Sequence, residues 1–395
     1  MLTIPNRIIA AALLVLAGLL FSLLVVEGVL RALGPEWLRL RMREINAGQQ
    51  VFFDSDEGWP LECSNTGCFR FTPGSRFRVV TREYRHSVAI DEHGARATSA
   101  PISGEAPTVP FLGDSFTFGI GVEDAETFVS LLDTGSTVDF LNLGILANSL
   151  PQQIDIVEMR HSELGSPSLY VFAFFVGNDF QNLVESKYGV DVQMFSASDD
   201  SPEPLYPTLS SRFDLLWRIN EYVLHNPVLK RLYLLQWTRH KALMLMNRAS
   251  ADLMDPIFLI MRIDKPHLIH AQKYLEQELR RLKDTARELN FDFAFVILPD
   301  RHQINSDLRE VKRAYYGLSA EKIDPTLPNR ALAAALETHA VPYVDVIDCM
   351  AARDDVEALY YSLDNHFTAH GHRAAAECMS AGMEEIVLAT LSLSN

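Results

Sequence analysis

Leu169-Tyr170-Val171-Phe172-Ala173-Phe174-Phe175-Val176 is a run of eight residues without a charge. A strand with one face in water alternates apolar with polar residues, whereas an almost wholly apolar strand is covered on both faces. Cover on both sides is the property of a parallel sheet with helices packed above and below it. The surrounding pattern agrees. Val109–Leu112, Val138–Leu143, Phe291–Leu298 and Val341–Val346 predict further strands. Between and after them, Thr127–Leu132, Gln152–Leu164, His270–Leu289, Asn329–Thr338 and a last stretch from about His372 to Leu391 predict helices. Strands alternating with helices define an α/β domain, placed here over residues 108–395.

Three further segments surround or interrupt that rhythm. Residues 1–34 hold Ile8–Val26, 19 residues without a charge and bounded by Arg7 and Glu27. Such a run spans roughly 28 Å as a helix, about the hydrocarbon thickness of a bilayer. It reads as an uncleaved anchor; a cleaved signal peptide, with Ala32-Leu33-Gly34 as a weak processing site, is the alternative. Residues 35–107 form a membrane-proximal region in which Phe77–Val80 and His86–Ile90 predict a small antiparallel β unit. Residues 185–270, rich in Leu, Met, Trp, Tyr and Phe, predict a helical insert that packs a core of its own, with a lid or a second membrane contact as the functional alternative. A count of basic residues around the span (Arg7 before it; Arg31, Arg39, Arg41 and Arg43 after it) favours a cytoplasmic C-terminal side. Cys63 and Cys68, separated by a loop-like Ser-Asn-Thr-Gly, instead suit a small disulfide in an oxidising compartment, with two unpaired thiols as the alternative. Cys349 and Cys378 read as buried packing residues. A net charge of −16 makes a nucleic-acid partner unlikely on electrostatic grounds.

Chemistry concentrates in three places. Gly113-Asp114-Ser115 follows a predicted strand, where a tight turn presents the serine Oγ outward and its amide toward a developing oxyanion. Gly177-Asn178-Asp179 ends the apolar strand and offers a side-chain NH₂ as a second oxyanion donor. Asp364-Asn365-His366 precedes the last helix. In an extended segment residues two apart share a face, so Asp364 can hold one ring nitrogen of His366 while the other faces Ser115. His366, His370 and His372 do not complete a metal site, because Gly371 interrupts helical spacing and no cysteine or carboxylate cluster joins them. His302 reads as a surface histidine, and Tyr360 and Tyr361 as packing residues.

These segments, in this order, resemble the SGNH/GDSL hydrolase family over roughly residues 109–184 and 291–391. The resemblance implies a three-layer α/β/α domain with a flavodoxin-like sheet. It implies Ser115 as nucleophile, Asp364 and His366 as the remaining triad members, and Ser115, Ala147 and Asn178 as oxyanion donors. Asp114, Gly144 and Gly177 take supporting places, and neither cofactor nor metal is implied. Two departures stand out. Ala147 occupies the position of an oxyanion glycine, and one residue rather than two separates aspartate from histidine. The shorter spacing, with Gly371-His372 nearby, looks like a membrane-associated, exopolysaccharide-modifying subset that works outside the cytoplasm. The expected function is a membrane-anchored serine esterase removing an acyl group, O-acetyl among them, from a saccharide or other ester. The expected location is a bacterial inner membrane, with the catalytic domain in the periplasm and residues 8–26 in lipid. An O-acyltransferase with the same triad and a non-catalytic binding or assembly protein remain the alternatives.

Overall fold

The structure is a computed structural model that describes residues 6–47, 52–53, 60–64, 67–81, 83–98, 106–134, 136–188, 222–223, 226–246, 256–264 and 267–393. It divides into two compact units. One comprises Met1–Gly48, Pro207–Ser250 and Ala314–Gly317; the other comprises Gln49–Tyr206, Ala251–Arg313 and Leu318–Asn395.

The larger unit is built on a five-stranded sheet: β1 (Thr108–Leu112), β2 (Asp139–Asn142), β3 (Leu169–Phe175), β4 (Asp292–Leu298) and β5 (Tyr343–Asp345). Every pairing is parallel and the spatial order is β2-β1-β3-β4-β5, the flavodoxin-like arrangement. All seven residues of β3 are buried, as its sequence demands. One face is covered by Leu150–Arg160, Asp179–Tyr188, His267–Leu289 and Leu327–Thr338. His267–Leu289 buries Leu268, Ala271, Leu275, Leu279, Leu282 and Ala286, a stripe at intervals of three and four. Phe128–Asp133 and the last helix, Ala369–Leu393, cover the other face. There Val109, Phe111, Phe128, Val171, Val296, Ala375 and Met379 share one hydrophobic core.

The small β unit belongs to the same compact unit. Arg76–Val80 pairs antiparallel with Arg85–Ala89, and Phe77, Val79, His86 and Val88 point inward. Leu61–Ser64 and Gly67–Phe71 form a second hairpin, closed by a Cys63–Cys68 disulfide. The reading of Cys349 and Cys378 as separate packing residues needs correction: they form a second disulfide, with Cα atoms 5.8 Å apart. Cys349 lies on the short helix Ile347–Ala351 after β5 and Cys378 on the last helix, which packs against it. Helix-on-helix packing therefore joins thiols that the sequence separates by 29 positions.

In the smaller unit, Asn6–Leu33 is one helix. Its Leu13–Leu33 portion has a mean hydropathy of 2.6 and is unburied, so it is long and apolar enough to cross a bilayer. Helix Glu36–Ala47 follows and buries Leu38 and Met42. The Glu27 carboxylate accepts the amides of Tyr233 and Leu234 at 3.0 and 2.8 Å, tying helix Tyr233–Met246 to the apolar helix. His240 stacks on Tyr315, and Trp37 lies tilted against both. The stretch read as a single insert, 185–270, is thus divided. Its described residues 222–223 and 226–246 fall in this unit, Ile257–Ile260 are buried in the larger one, and 189–221 lies outside the described residues.

Candidate active site

In a doubly wound sheet the crevice opens at the carboxyl ends of the strands where the order reverses, here between β1 and β3. β1 ends at Leu112, and the turn Gly113-Asp114 leads into the four-residue helix Ser115–Phe118. Asp114 caps that helix, its Oδ1 accepting the Phe116 amide at 2.8 Å. The loop after β2 runs directly against it: a Cβ on Gly144 would lie 2.2 Å from the Phe118 nitrogen, so only glycine fits. Asn142 fixes this approach, donating Nδ2–H to the Thr117 carbonyl and accepting the Gly144 amide. Ala147 takes φ = 61°, the left-handed conformation that a glycine adopts without strain. Gly177 and Asn178 follow β3 after the single residue Val176.

From the far end of the chain come Asp364 and His366. His366 Nε2 lies 2.7 Å from Ser115 Oγ, and His366 Nδ1 lies 2.5 Å from Asp364 Oδ1. The three side chains predicted to act together are therefore joined in series. The single intervening residue lets Asp364 Oδ1 accept the His366 backbone amide as well, at 3.3 Å. Burial works to raise the Asp364 carboxyl, but His366 and the hydroxyl of Tyr84 outweigh it and hold it at about 2. Asp114 goes the other way. Burial pushes it up to about 6, against the pull of the Phe116 amide, His366 and the Asn178 side chain. Asp179 is also buried and lies far above the usual carboxylate range, first through burial and then through the neighbouring Asp114.

Several residues around this series were not legible in the sequence. Tyr84 donates its hydroxyl to Asp364 Oδ2 at 2.5 Å. The Glu83 carboxylate accepts the amides of Leu363 and Asp364 and the Ser362 hydroxyl. Arg301 donates to the carbonyls of Tyr361 and Ser362, and Asn365 Nδ2 donates to Asp300 Oδ2 at 2.6 Å. Arg96, fully buried, donates to Asp124 and to the carbonyls of Phe118, Gly119 and Val122, at and just past the end of the Ser115 helix. Tyr84 is 280 positions from its partner, and no local spacing announces such a contact.

The remaining histidines take separate tasks. His302 is not at the surface, which corrects the sequence reading: it is buried, with Nδ1 2.7 Å from Asp300 Oδ1, because the turn after β4 folds back under the Asp364 loop. His370 pairs with Asp355. His372 is buried and its Nδ1 accepts the Phe128 amide at 3.2 Å. A Cβ on Gly371 would lie 2.0 Å from the Leu359 carbonyl oxygen, so the Gly-His pair serves packing. Tyr360 is buried, with its hydroxyl on the Pro299 carbonyl, and Tyr361 donates to the Gly121 carbonyl.

Fold and site together describe a doubly wound α/β protein with a serine, a histidine and an aspartate joined at the carboxyl edge of its sheet. No protein-family model and no curated protein matches the chain. Similar solved structures include a lipolytic protein of the G-D-S-L family from Veillonella parvula, 13% identical, covering 69% of this chain and 95% of that one at a TM-score of 0.35. A lipase/acylhydrolase from Enterococcus faecalis is 10% identical, covering 71% and 96% at a TM-score of 0.37. A psychrotrophic esterase from Pseudoalteromonas is 10% identical, covering 71% and 98% at a TM-score of 0.32.

Proposed function

We propose that the chain is a membrane-anchored serine esterase of the SGNH/GDSL kind. The observation that carries this reading is the unbroken series Ser115 Oγ to His366 Nε2 and His366 Nδ1 to Asp364 Oδ1, at 2.7 and 2.5 Å. In it His366 takes the Ser115 proton as Oγ attacks the ester carbonyl carbon. Asp364 holds the ring in one tautomer and stabilises the imidazolium. The amides of Ser115 and Ala147 and the Asn178 side chain hold the oxyanion. His366 then protonates the departing alkoxide, leaving an acyl-serine, and water activated by the same histidine releases the acid. The substrate is a small acyl ester, such as an O-acetyl group, on a saccharide. This rests on the sequence resemblance carried by the Asp-x-His spacing.

The domain is placed outside the cytoplasm. Two disulfides support this, since thiols in a reducing cytoplasm stay unpaired. The reading follows the disulfides over the arginine count, although Arg39, Arg41 and Arg43 lie only 6–10 residues beyond Leu33. A reporter fused after Asn395 tests the placement, and activity of a cytoplasmic-only reporter would overturn it.

The function itself is tested with a fluorophosphonate probe on the full chain in detergent, beside Ser115→Ala. Labelling and ester hydrolysis that vanish in the variant, with turnover down at least ~10³-fold, are expected. A folded wild-type protein that neither labels nor hydrolyses would favour the binding-protein reading.

A further inference from the structure

We propose that Tyr84 is a positioning residue of the Ser115 site, a fourth group in series behind Asp364; this rests on the esterase reading above. The geometry starts from the short Asp-x-His spacing. With one residue between them, Asp364 Oδ1 serves both the ring and the backbone amide of His366. Its other oxygen then faces away from the histidine, toward the small β unit, and Tyr84 occupies it at 2.5 Å.

Tyr84 is presented rigidly. It ends the turn between strands Arg76–Val80 and Arg85–Ala89, whose Val80–Arg85 pairing closes the hairpin. Thr81 Oγ1 accepts the amides of Glu83 and Tyr84, and the Thr81 amide donates to the Tyr84 carbonyl at 2.9 Å. Glu83, one residue earlier, grips the backbone of Leu363 and Asp364. The phenol ring is buried, with Tyr361 and His86 at centroid distances of 4.7 and 5.7 Å. Burial and the Asp364 charge keep the hydroxyl protonated across the working range, so it is always a donor. A buried carboxylate oxygen left without a donor is costly, and a carboxylate free to rotate ceases to orient the imidazole. The charged and titratable neighbours of the pair are Glu83, Tyr361 and His366, and His366 in turn has Asp114, His86 and His372 within electrostatic reach.

The test is Tyr84→Phe in the full chain in detergent, with Tyr343→Phe, whose hydroxyl donates to Glu337, as the control. Removing the hydroxyl leaves the Asp364 charge less neutralised, which favours the proton on the imidazole. On p-nitrophenyl acetate, kcat is expected to fall ~10-fold with KM within ~2-fold, and the acid limb of kcat/KM to move to higher pH by up to ~1 unit. The low-field proton resonance of the Nδ1–H bond to Asp364, identified by its loss in His366→Gln, is expected to shift or broaden. An unchanged resonance, or an activity loss that follows only a lowered Tm with the pH limb in place, would overturn the proposal. If the wild type neither labels with fluorophosphonate nor hydrolyses the ester, the esterase reading fails, and the resonance in Tyr84→Phe still decides the role of Tyr84.

Discussion

Ala147 holds a left-handed backbone at φ = 61° with a side chain that disfavours it. That conformation costs a non-glycine residue roughly 1–2 kcal/mol, part of which glycine returns through the entropy of the unfolded chain. Ala147→Gly is therefore expected to raise stability by up to ~1 kcal/mol, read as a higher urea midpoint at unchanged slope. Asp364 makes a prediction about pH. Its carboxyl is held at about 2 in the folded state, below the ordinary value of 3.8. The folded state thus binds the proton more weakly than the unfolded chain. The resulting stabilisation, on the order of 2 kcal/mol, is present above pH ~4 and lost as pH falls toward 2. Asp364→Asn should flatten the stability profile across that acid window; a profile identical to wild type would mean that the carboxylate is not held by His366 and Tyr84.

At the scale of elements, two links carry the architecture of the site. Arg96 satisfies three carbonyls at and just past the end of the Ser115 helix and an aspartate, all from a position at the end of the small β unit. Replacing it with methionine fills the volume but strands those acceptors, which is expected to cost about 3–5 kcal/mol. Circular dichroism melts would register this, and a change below 1 kcal/mol would show that water replaces the guanidinium without penalty. Cys349–Cys378 ties the helix after β5 to the last helix, two elements flanking the Asp364 loop. Closing about 30 residues of chain is worth about 3.6 kcal/mol by loop entropy. Cys349→Ser with Cys378→Ser should lower the denaturant midpoint accordingly, and dithiothreitol should do the same to the wild type while leaving the double variant's 349–378 region unaffected. The elements themselves were largely readable: β1 through β5 fall within one or two residues of the apolar runs, because a doubly covered strand advertises its burial in composition.

For the whole molecule, the charge of −16 favours water, while the helix Leu13–Leu33 is long and apolar enough to cross a bilayer. The chain is expected to remain in the membrane fraction after alkaline carbonate washing and to leave it only in detergent. Release by carbonate would refute the anchor. The order and chemistry of the site, Gly-Asp-Ser, Gly-Asn-Asp and Asp-x-His, were present in the sequence because strand ends and tight turns impose residue types locally. A helix long and apolar enough to cross a bilayer was equally evident, since length and hydropathy alone decide it. What only the tertiary structure decided is everything that depends on separate segments meeting. Tyr84 and Glu83 reach the Asp364 loop across some 280 positions, Arg96 reaches the turn past Ser115, His302 goes under the site rather than to water, and Cys349 pairs with Cys378. A side chain's partner across the fold leaves no periodicity in the chain that carries it. Such contacts become visible only when packing has placed both ends.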